Sequence, residues 1–212
     1  MPEISTYVSD TASAYDAMAV RYAEFVRGVL DGQPLDRAVL AAFADLVRES
    51  GNTRAVEAGC GPGHMTAHLR DLGLDPFGLD IAPAMIDIAR EAHPDLRFDL
   101  ASMDAVDGPD GSLGGVLSWY SMIHTPPAEL PPYLAEFHRV LAPGGHLLLG
   151  FFEAEGSQVV PYDHKVTPAY RWPIDALAAQ AAAAGFTEVC RVLREPRPGE
   201  RHRQARLILT RS

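Results

Sequence analysis

The stretch VEAGCGPGHM, residues 56–65, is a glycine-rich turn between an apolar run and a helical pattern. Gly59, Gly61 and Gly63 lack side chains, so the backbone there can approach a bound ligand closely. A dinucleotide site has the spacing G-x-G-x-x-G, and His64 stands where its third glycine would be. The turn therefore indicates a ligand site. Its spacing disfavours a nicotinamide-dependent oxidoreductase, which we keep as an alternative.

Short apolar runs alternate with helical patterns on either side of this turn. Such alternation is typical of βαβ units, and continuous apolar strands are typical of a parallel sheet covered on both faces. The pattern predicts strands at residues 53–58, 77–79, 96–100, 115–119, 145–152, 188–193 and 205–210. It predicts helices at residues 11–27, 36–49, 65–72, 83–91, 130–140 and 174–184. We therefore expect an α/β fold with a mostly parallel, doubly wound sheet.

The length of 212 residues suits a single domain. We predict one domain over residues 1–212, with residues 1–50 as an N-terminal helical cap. Residues 153–172 are polar, aromatic and proline-bearing. Because long irregular segments of compact domains are commonly functional, we predict that this segment is a substrate loop.

The charge balance is acidic, with 18 Lys and Arg against 28 Asp and Glu and a formal net charge of −10. A non-specific nucleic-acid surface needs excess positive charge, so we expect no nucleic-acid partner. No apolar run approaches the ~20 residues of a membrane span. The opening MPEISTYVSD lacks the pattern of a secretion signal. The sequence therefore predicts a cytoplasmic protein without a membrane partner.

Two cysteines, Cys60 and Cys190, lie far apart and outside any Cys/His ligand spacing. This arrangement indicates neither a disulfide framework nor a zinc site. We predict that both are small buried residues and that the chain has no metal site.

Four segments resemble the motifs of the class I S-adenosylmethionine-dependent methyltransferases, in the order and spacing of that family. They are the glycine-rich turn 56–65, GLDIAPAMI at 78–86, DGSLGGVLSWYSMIH at 110–124 and RVLAPGGHLLL at 139–149. The resemblance extends from Tyr15 to about Leu209 and covers most of the chain. It implies a Rossmann-like, doubly wound, seven-stranded, mostly parallel sheet with an antiparallel last strand.

The resemblance implies S-adenosylmethionine as cofactor and S-adenosylhomocysteine as product. It implies that Asp80 accepts both ribose hydroxyls and that Glu57 binds the methionine ammonium group, directly or through water. Tyr15 resembles a residue that touches the cofactor carboxylate, and Arg21 is a second candidate for that contact. The alternatives are ordinary helix packing for Tyr15 and solvent exposure for Arg21. The other predicted cofactor contacts are Tyr22, Gly59, Gly61, Gly63, Ile81, Met85, Ser102, Met103, Ser118 and Trp119.

Three positions depart from the family pattern. Gly114 stands where the family usually has Asp, so a contact at the base of the fourth strand is missing or replaced. Residues 101–103 read Ala-Ser-Met where the family has GDA, which leaves Ser102 or Asp104 to contact the adenine. Ile123 replaces the first residue of a usual histidine pair and leaves His124 alone.

His124 is the candidate general base, because a neutral imidazole can take a proton from a hydroxyl or amine near neutral pH. A structural or substrate-orienting histidine is the alternative. Aromatic and imidazole side chains suit a small ring substrate, so we predict an acceptor pocket lined by Tyr120, Tyr162, His164, Tyr170 and Trp172.

The sequence therefore predicts a small-molecule methyltransferase that acts by in-line transfer to an O, N or C atom. Proximity and orientation supply much of the acceleration in such a reaction. An inactive protein of the same fold that binds S-adenosylmethionine or S-adenosylhomocysteine as a sensor or partner is the main alternative. We expect a small-molecule acceptor as partner and either a monomer or a homodimer.

Overall fold

The computed structural model describes residues 6–212. Its helices are α1 Thr6–Asp16, α2 Ala19–Val26, α3 Pro34–Glu49, α4 His64–Asp71, α5 Pro83–Ala92, α6 Leu130–Val140 and α7 Ile174–Ala183. Its strands are β1 Arg54–Ala58, β2 Asp75–Asp80, β3 Arg97–Leu100, β4 Leu113–Trp119, β5 Leu141–Phe152, β6 Val160–Asp163, β7 Pro168–Arg171, β8 Phe186–Arg194 and β9 Gln204–Arg211. Two 3₁₀ turns, Met122–His124 and Pro127–Glu129, join β4 to α6.

Seven strands form one sheet in the order β3-β2-β1-β4-β5-β9-β8. The first five strands of the chain pair in parallel, and β9 is antiparallel to both of its neighbours. The predicted α/β class and the mostly parallel sheet with an antiparallel last strand are confirmed. Strand order reverses between β1 and β4, and open α/β sheets bind ligands beyond the carboxyl ends of the strands at such a point.

The sheet is buried on both faces because apolar side chains follow one another along its central strands. Val116 packs in the layer formed with α6 and α7, and its neighbour Leu117 packs in the layer formed with α3 and α4. Leu147 and Leu148 of β5 divide between the same two layers. This alternation follows from the two-residue period of a strand, and it leaves the strand ends as the place for polar chemistry.

The predicted helix over residues 11–27 is two helices, α1 and α2, with a break at 17–18. No glycine or proline marks this break in the sequence. Tertiary contacts accompany it: Asp16 Oδ1 accepts a hydrogen bond of 2.8 Å from the Ala84 backbone N–H, and Ala19 packs against Met85. Both helices are therefore held against α5, beside the carboxyl ends of the strands.

Residues 153–172, predicted as a substrate loop, contain the antiparallel hairpin β6–β7. Glu153 and Trp172 form a bridge at its base, and Ala169 is fully buried. The strands are short, and proline begins or interrupts both, so the pattern did not indicate strand structure. The segment is therefore an ordered element that packs on the main core.

Cys60 is buried, as predicted, but Cys190 is exposed on β8, so the prediction for Cys190 was wrong. It lies on an edge strand whose residues are mostly exposed. In the part of the chain that the structure describes, no three His, Cys, Asp or Glu side chains converge in a metal-binding group. Across residues 6–212 every helix is too short or too polar to cross a membrane.

Gly114 has a steric explanation. A Cβ atom added there would lie 1.7 Å from the backbone carbonyl oxygen of Asn52. Asn52 Nδ2 in turn donates to the Ser112 carbonyl oxygen at 3.1 Å. The segment before β1 therefore packs directly on the β4 backbone and occupies the space that an Asp side chain would need.

We expect Gly114→Ala to lower the free energy of unfolding by at least about 1–3 kcal/mol, because backbone must move to admit the methyl group. The matched control is Gly32→Ala, where an added Cβ has nothing within 4 Å. That change is expected to stay within about 0.5 kcal/mol of the wild type. Urea unfolding of the three proteins checks this, and equal midpoints would contradict the close approach.

Candidate functional site

A cavity of about 680 Å³ opens at the carboxyl ends of the parallel strands. Its wall includes residues of helices α1 and α2, of the hairpin β6–β7 and of the β8–β9 connection. Fifteen of the predicted site residues line it: Tyr15, Tyr22, Glu57, Gly59, Gly61, Asp80, Ile81, Met85, Ser102, Met103, Trp119, Tyr120, His124, Tyr162 and His164.

Five predicted site residues lie outside this wall. Arg21 is exposed on α2, as the alternative prediction of solvent exposure had it. Trp172 is 3% exposed in the main core, and Tyr170 faces a second, shallower cavity beside the β6–β7 hairpin. Ser118 is fully buried, and its hydroxyl lies 2.8 Å from that of Ser121.

Gly63, the fifth, lies behind the turn. It has a φ of 80°, and a Cβ there would lie 2.7 Å from the Phe98 ring. It therefore allows α4 to begin close to β3. The three glycines have separate tasks: Gly59 admits the Ser121 side chain, which a Cβ would meet at 2.2 Å, whereas Gly61 faces the cavity and Tyr22.

Asp80 ends β2 and joins the glycine turn to the start of α5. Its Oδ2 accepts from the Gly61 backbone N–H at 2.8 Å, and its Oδ1 accepts from the Ala82 N–H at 2.9 Å. Burial raises the pKa of Asp80, and these N–H groups oppose the shift. Each carboxylate oxygen has more than one lone pair, so both can accept a further hydrogen bond from a ligand in the cavity.

Glu57 is the buried carboxyl group of β1, with 1% of its surface exposed. Its Oε2 accepts a hydrogen bond from the Thr66 hydroxyl of α4. Burial raises the pKa of Glu57 to about 8, while the bond from Thr66 acts in the opposite direction. The cavity therefore contains a carboxyl group whose ionisation a nearby cation would favour.

His124 joins its own 3₁₀ turn to α1 and to β7. Its Nδ1 lies 3.0 Å from the Pro168 carbonyl oxygen of β7, and its Nε2 lies 2.8 Å from the Tyr15 hydroxyl of α1. A carbonyl oxygen only accepts, so Nδ1 carries the proton and Nε2 accepts from Tyr15. Burial lowers the pKa of His124 to about 4 and raises that of Tyr15. The imidazole is therefore neutral at neutral pH, and its basic nitrogen is covered by the phenol.

Arg206 is a buried residue of β9, within the strand predicted at residues 205–210. It is 2% exposed, and its Nη2 donates to both Asp36 oxygens at 2.9 and 3.0 Å and to the Tyr120 hydroxyl at 2.7 Å. Its guanidinium lies 4.3 Å from the centre of the Trp119 ring. A single arginine within the apolar run ARLIL was the available signal.

Three comparisons with known proteins find similarity to methyltransferases. A family model described as "Methyltransferase domain" matches residues 55–145. Malonyl-[acyl-carrier protein] O-methyltransferase from Yersinia pestis is 31% identical over 168 residues, which cover 66% of this chain and 60% of that protein. The enzyme of the same name from Serratia marcescens is 32% identical over 103 residues, which cover 49% and 40%. The chain thus spans less than two thirds of the length of either relative.

A solved structure matches nearly the whole chain. Burkholderia thailandensis 1,6-didemethyltoxoflavin-N1-methyltransferase, with bound 1,6-didemethyltoxoflavin and S-adenosylhomocysteine, is 25% identical, with 94% of this chain and 90% of that one covered and a TM-score of 0.67. The chain has the fold of the class I S-adenosylmethionine-dependent methyltransferases. The matched methyltransferase domain holds Glu57, Asp80 and His124 but ends at residue 145. The cavity residues from 152 to 204 lie beyond it.

We expect His124 to remain a neutral Nδ1–H imidazole between about pH 5 and pH 8, since burial holds its pKa near 4. Because the folded pKa lies below the unfolded value of about 6.5, the folded state binds fewer protons between those values. His124 therefore lowers stability as pH falls through that window. Nitrogen-15 spectra of the histidine side chains check the tautomer, with His124→Asn used for assignment. An imidazolium signal at pH 6 would contradict it.

Proposed function

We propose that this protein is an S-adenosylmethionine-dependent methyltransferase that acts on a small molecule by in-line transfer. One observation carries the proposal: the Asp80 carboxylate lies 2.8 Å from the Gly61 N–H in a cavity that also contains Glu57. A carboxylate beside a glycine turn suits ribose hydroxyls, and a second, buried carboxyl group suits an ammonium group.

The described residues fit this cofactor. S-Adenosylmethionine supplies an electrophilic methyl group on a sulfonium. Asp80 would accept from the ribose hydroxyls, Glu57 would bind the ammonium group, and Ser102 and Met103 would contact the adenine. Gly61 leaves the cavity open beside Tyr22, since an added Cβ would lie 3.7 Å from that ring. These residues bind and orient the cofactor, which is most of what an in-line displacement requires of a protein.

His124 remains the proposed proton acceptor, with Tyr15 as an intermediate partner. Tyr15 lines the cavity, and its hydroxyl donates to His124 Nε2. A proton that leaves the acceptor therefore reaches His124 through the Tyr15 oxygen, which receives one proton as it passes its own to Nε2. The Pro168 carbonyl oxygen accepts from Nδ1–H and stabilises the imidazolium that forms.

The relatives named above differ in acceptor, so their names do not select one for this chain. Its acidic net charge of −10 supports a small molecule over a nucleic acid. The alternative function is an inactive sensor that binds the cofactor without turnover. Formation of S-adenosylhomocysteine in the presence of one member of a panel of alcohols, amines and activated carbon acids would distinguish the enzyme from the sensor.

We expect S-adenosylmethionine and S-adenosylhomocysteine to raise the unfolding temperature, and NAD to leave it unchanged. A ligand at about 100 times its dissociation constant adds about 2.7 kcal/mol to the free energy of unfolding. Asp80→Asn should raise the dissociation constants of both sulfur nucleosides by at least about tenfold, because an amide offers one acceptor oxygen in place of two. Thermal unfolding with a ligand titration measures both effects.

The matched control is Asp75→Asn, an exposed carboxylate at the other end of β2. This variant should bind both sulfur nucleosides with the dissociation constants of the wild type. Each apo variant is unfolded alongside, since Asp80 also holds two backbone N–H groups. A shift with NAD, or no shift with either sulfur nucleoside, would reject the proposed cofactor.

S-Adenosylhomocysteine binding should tighten as pH rises from about 6 to 8 and then level off. Glu57, whose pKa is about 8 in the free protein, must lose its proton to pair with the ammonium group. Each pH unit below that value should weaken binding by up to about tenfold. The pKa values of His64, His124 and His164 are lowered by burial, so these groups contribute little to the pH dependence of binding between pH 6 and 8.

Calorimetry in two buffers of different ionisation enthalpy checks this, with proton release near one per ligand at pH 7. Glu57→Gln should bind more weakly at pH 8 and release no proton. A wild type that releases no proton at pH 7 would rule out this role for Glu57.

A further inference from the structure

Three aromatic side chains form an apolar part of the cavity wall. Phe152 of β5 contacts Tyr120, with ring centres 4.9 Å apart, and Tyr162 of β6, with ring centres 5.4 Å apart. All three residues line the cavity and are partly exposed, so their rings are open to a ligand. We call these three residues the ring wall. Because aromatic rings pack favourably on other rings by their faces and edges, the ring wall suits a ligand with an aromatic body.

Arg201, in the β8–β9 connection, lies over this wall. Its guanidinium carbon is 5.5 Å from the centre of the Tyr162 ring, and its Nη1 donates to the Asp163 carbonyl oxygen at 3.4 Å. The residue is exposed and lines the same cavity. Because a guanidinium is attracted to the face of an aromatic ring, these contacts hold a cation at the solvent-facing rim of the ring wall.

The charged side chains around Arg201 are paired with one another. The pairs are Lys165 with Asp163 at 3.3 Å, Arg194 with Glu200 at 2.6 Å and Arg203 with Glu195 at 3.0 Å. Within residues 6–212, no carboxylate forms an ion pair with Arg201. Burial lowers the pKa of His164 and His202, so both are uncharged at neutral pH. Lys165 lines the cavity too, but Asp163 balances its charge. The rim therefore has one surplus positive charge, at Arg201.

This surplus charge indicates the charge of the ligand. A guanidinium has five N–H donors in a planar fork, which matches the two oxygens of a carboxylate. The bond to Asp163 uses Nη1 alone. One carboxylate balances one cation, whereas a phosphate monoester has a charge of about −1.5 to −2 and a neutral ligand leaves the guanidinium unpaired. Arg201 therefore fits a carboxylate.

A row of rings separates Arg201 from the proposed proton acceptor. The ring centres of Tyr162 and His164 are 5.8 Å apart, and those of His164 and His124 are 5.0 Å apart. A carboxylate at Arg201 therefore lets the opposite end of an aromatic ligand approach His124. The carboxylate itself has no proton to give at neutral pH. The group that loses a proton is thus a second one, an O–H or N–H at the opposite end.

We propose that the methyl acceptor is an aromatic carboxylate whose body packs on the ring wall, whose carboxylate pairs with Arg201, and whose hydroxyl or amine at the other end receives the methyl group. As the O–CH₃ or N–CH₃ bond forms, the S–CH₃ bond breaks with its electron pair left on sulfur, and the acceptor's proton passes to His124 through Tyr15. This inference rests on the proposed function, since it names the acceptor class of the same cavity. Arg201 is a specificity residue in this arrangement.

The test titrates probes by calorimetry into the full chain saturated with S-adenosylhomocysteine. Two probe series, built on phenol and on 2-naphthol, each have a carboxylate, a carboxamide or a phosphate opposite the hydroxyl. The non-aromatic counterpart is 4-hydroxycyclohexanecarboxylate. We expect at least one aromatic carboxylate to bind at least about tenfold more tightly than its carboxamide, as one charge-assisted pair predicts. It should also bind more tightly than its phosphate and than the cyclohexane acid.

Arg201→Gln should raise the dissociation constant of that carboxylate by at least about tenfold. The dissociation constants of its carboxamide and of S-adenosylhomocysteine should stay within about twofold of the wild type, since the residue is exposed. Arg201→Lys retains the charge but loses the fork, so it should restore part of the binding. The matched control is Arg54→Gln, which removes an exposed arginine at the amino end of β1. This control should bind every probe with the dissociation constants of the wild type.

Equal binding of each aromatic carboxylate and its carboxamide, tighter binding of a phosphate or of the cyclohexane acid, or no binding of either aromatic carboxylate would overturn the inference. Unchanged carboxylate binding by Arg201→Gln would also overturn it. Weaker binding of S-adenosylhomocysteine by Arg201→Gln would overturn it as well, because the arginine would then pair with the carboxylate of the cofactor. In each of these cases S-adenosylhomocysteine still binds the wild type, so the proposed function stands. Its failure to bind the wild type would instead reject the proposed function.

Discussion

The Asp80 carboxylate is the interaction on which the site depends. Its two oxygens accept from the N–H groups of Gly61 and Ala82, so one side chain joins the turn after β1 to the start of α5. Hydrogen bonds to an ionised acceptor are stronger than neutral ones. They hold Gly61, which has a φ of 50° and lines the cavity, in the left-handed conformation.

The walls of the cavity come from elements that are distant in sequence and are held together by polar contacts. Asp16 accepts from the α5 backbone, Tyr15 donates to His124, and Arg206 of β9 binds Asp36 of α3. Removing one partner of a buried ion pair commonly costs about 3–5 kcal/mol. These polar contacts fix the helices over the strand ends, while the two apolar layers support the sheet beneath them.

Most of the fold could be predicted because a buried parallel sheet has a strong pattern. Helix α6 has the predicted bounds, and the seven main strands differ from prediction by a few residues at their ends. The break between α1 and α2 and the strands β6 and β7 were missed. Each is stabilised by contacts with distant residues, such as Ala84 or the core around Ala169, which local propensity does not encode.

The sequence by itself determined the fold and the part of the cavity around the glycine turn, because adjacent residues of strand, turn and helix form that part. Glu57, Gly61 and Asp80 follow directly from two strand ends that must be neighbours in a parallel sheet. Only the tertiary structure decided that Tyr15 bonds Nε2 of His124, that Arg206 is buried and that His202 packs against Tyr162. Those pairings join segments far apart along the chain, and they depend on how the helices and hairpins pack over the sheet.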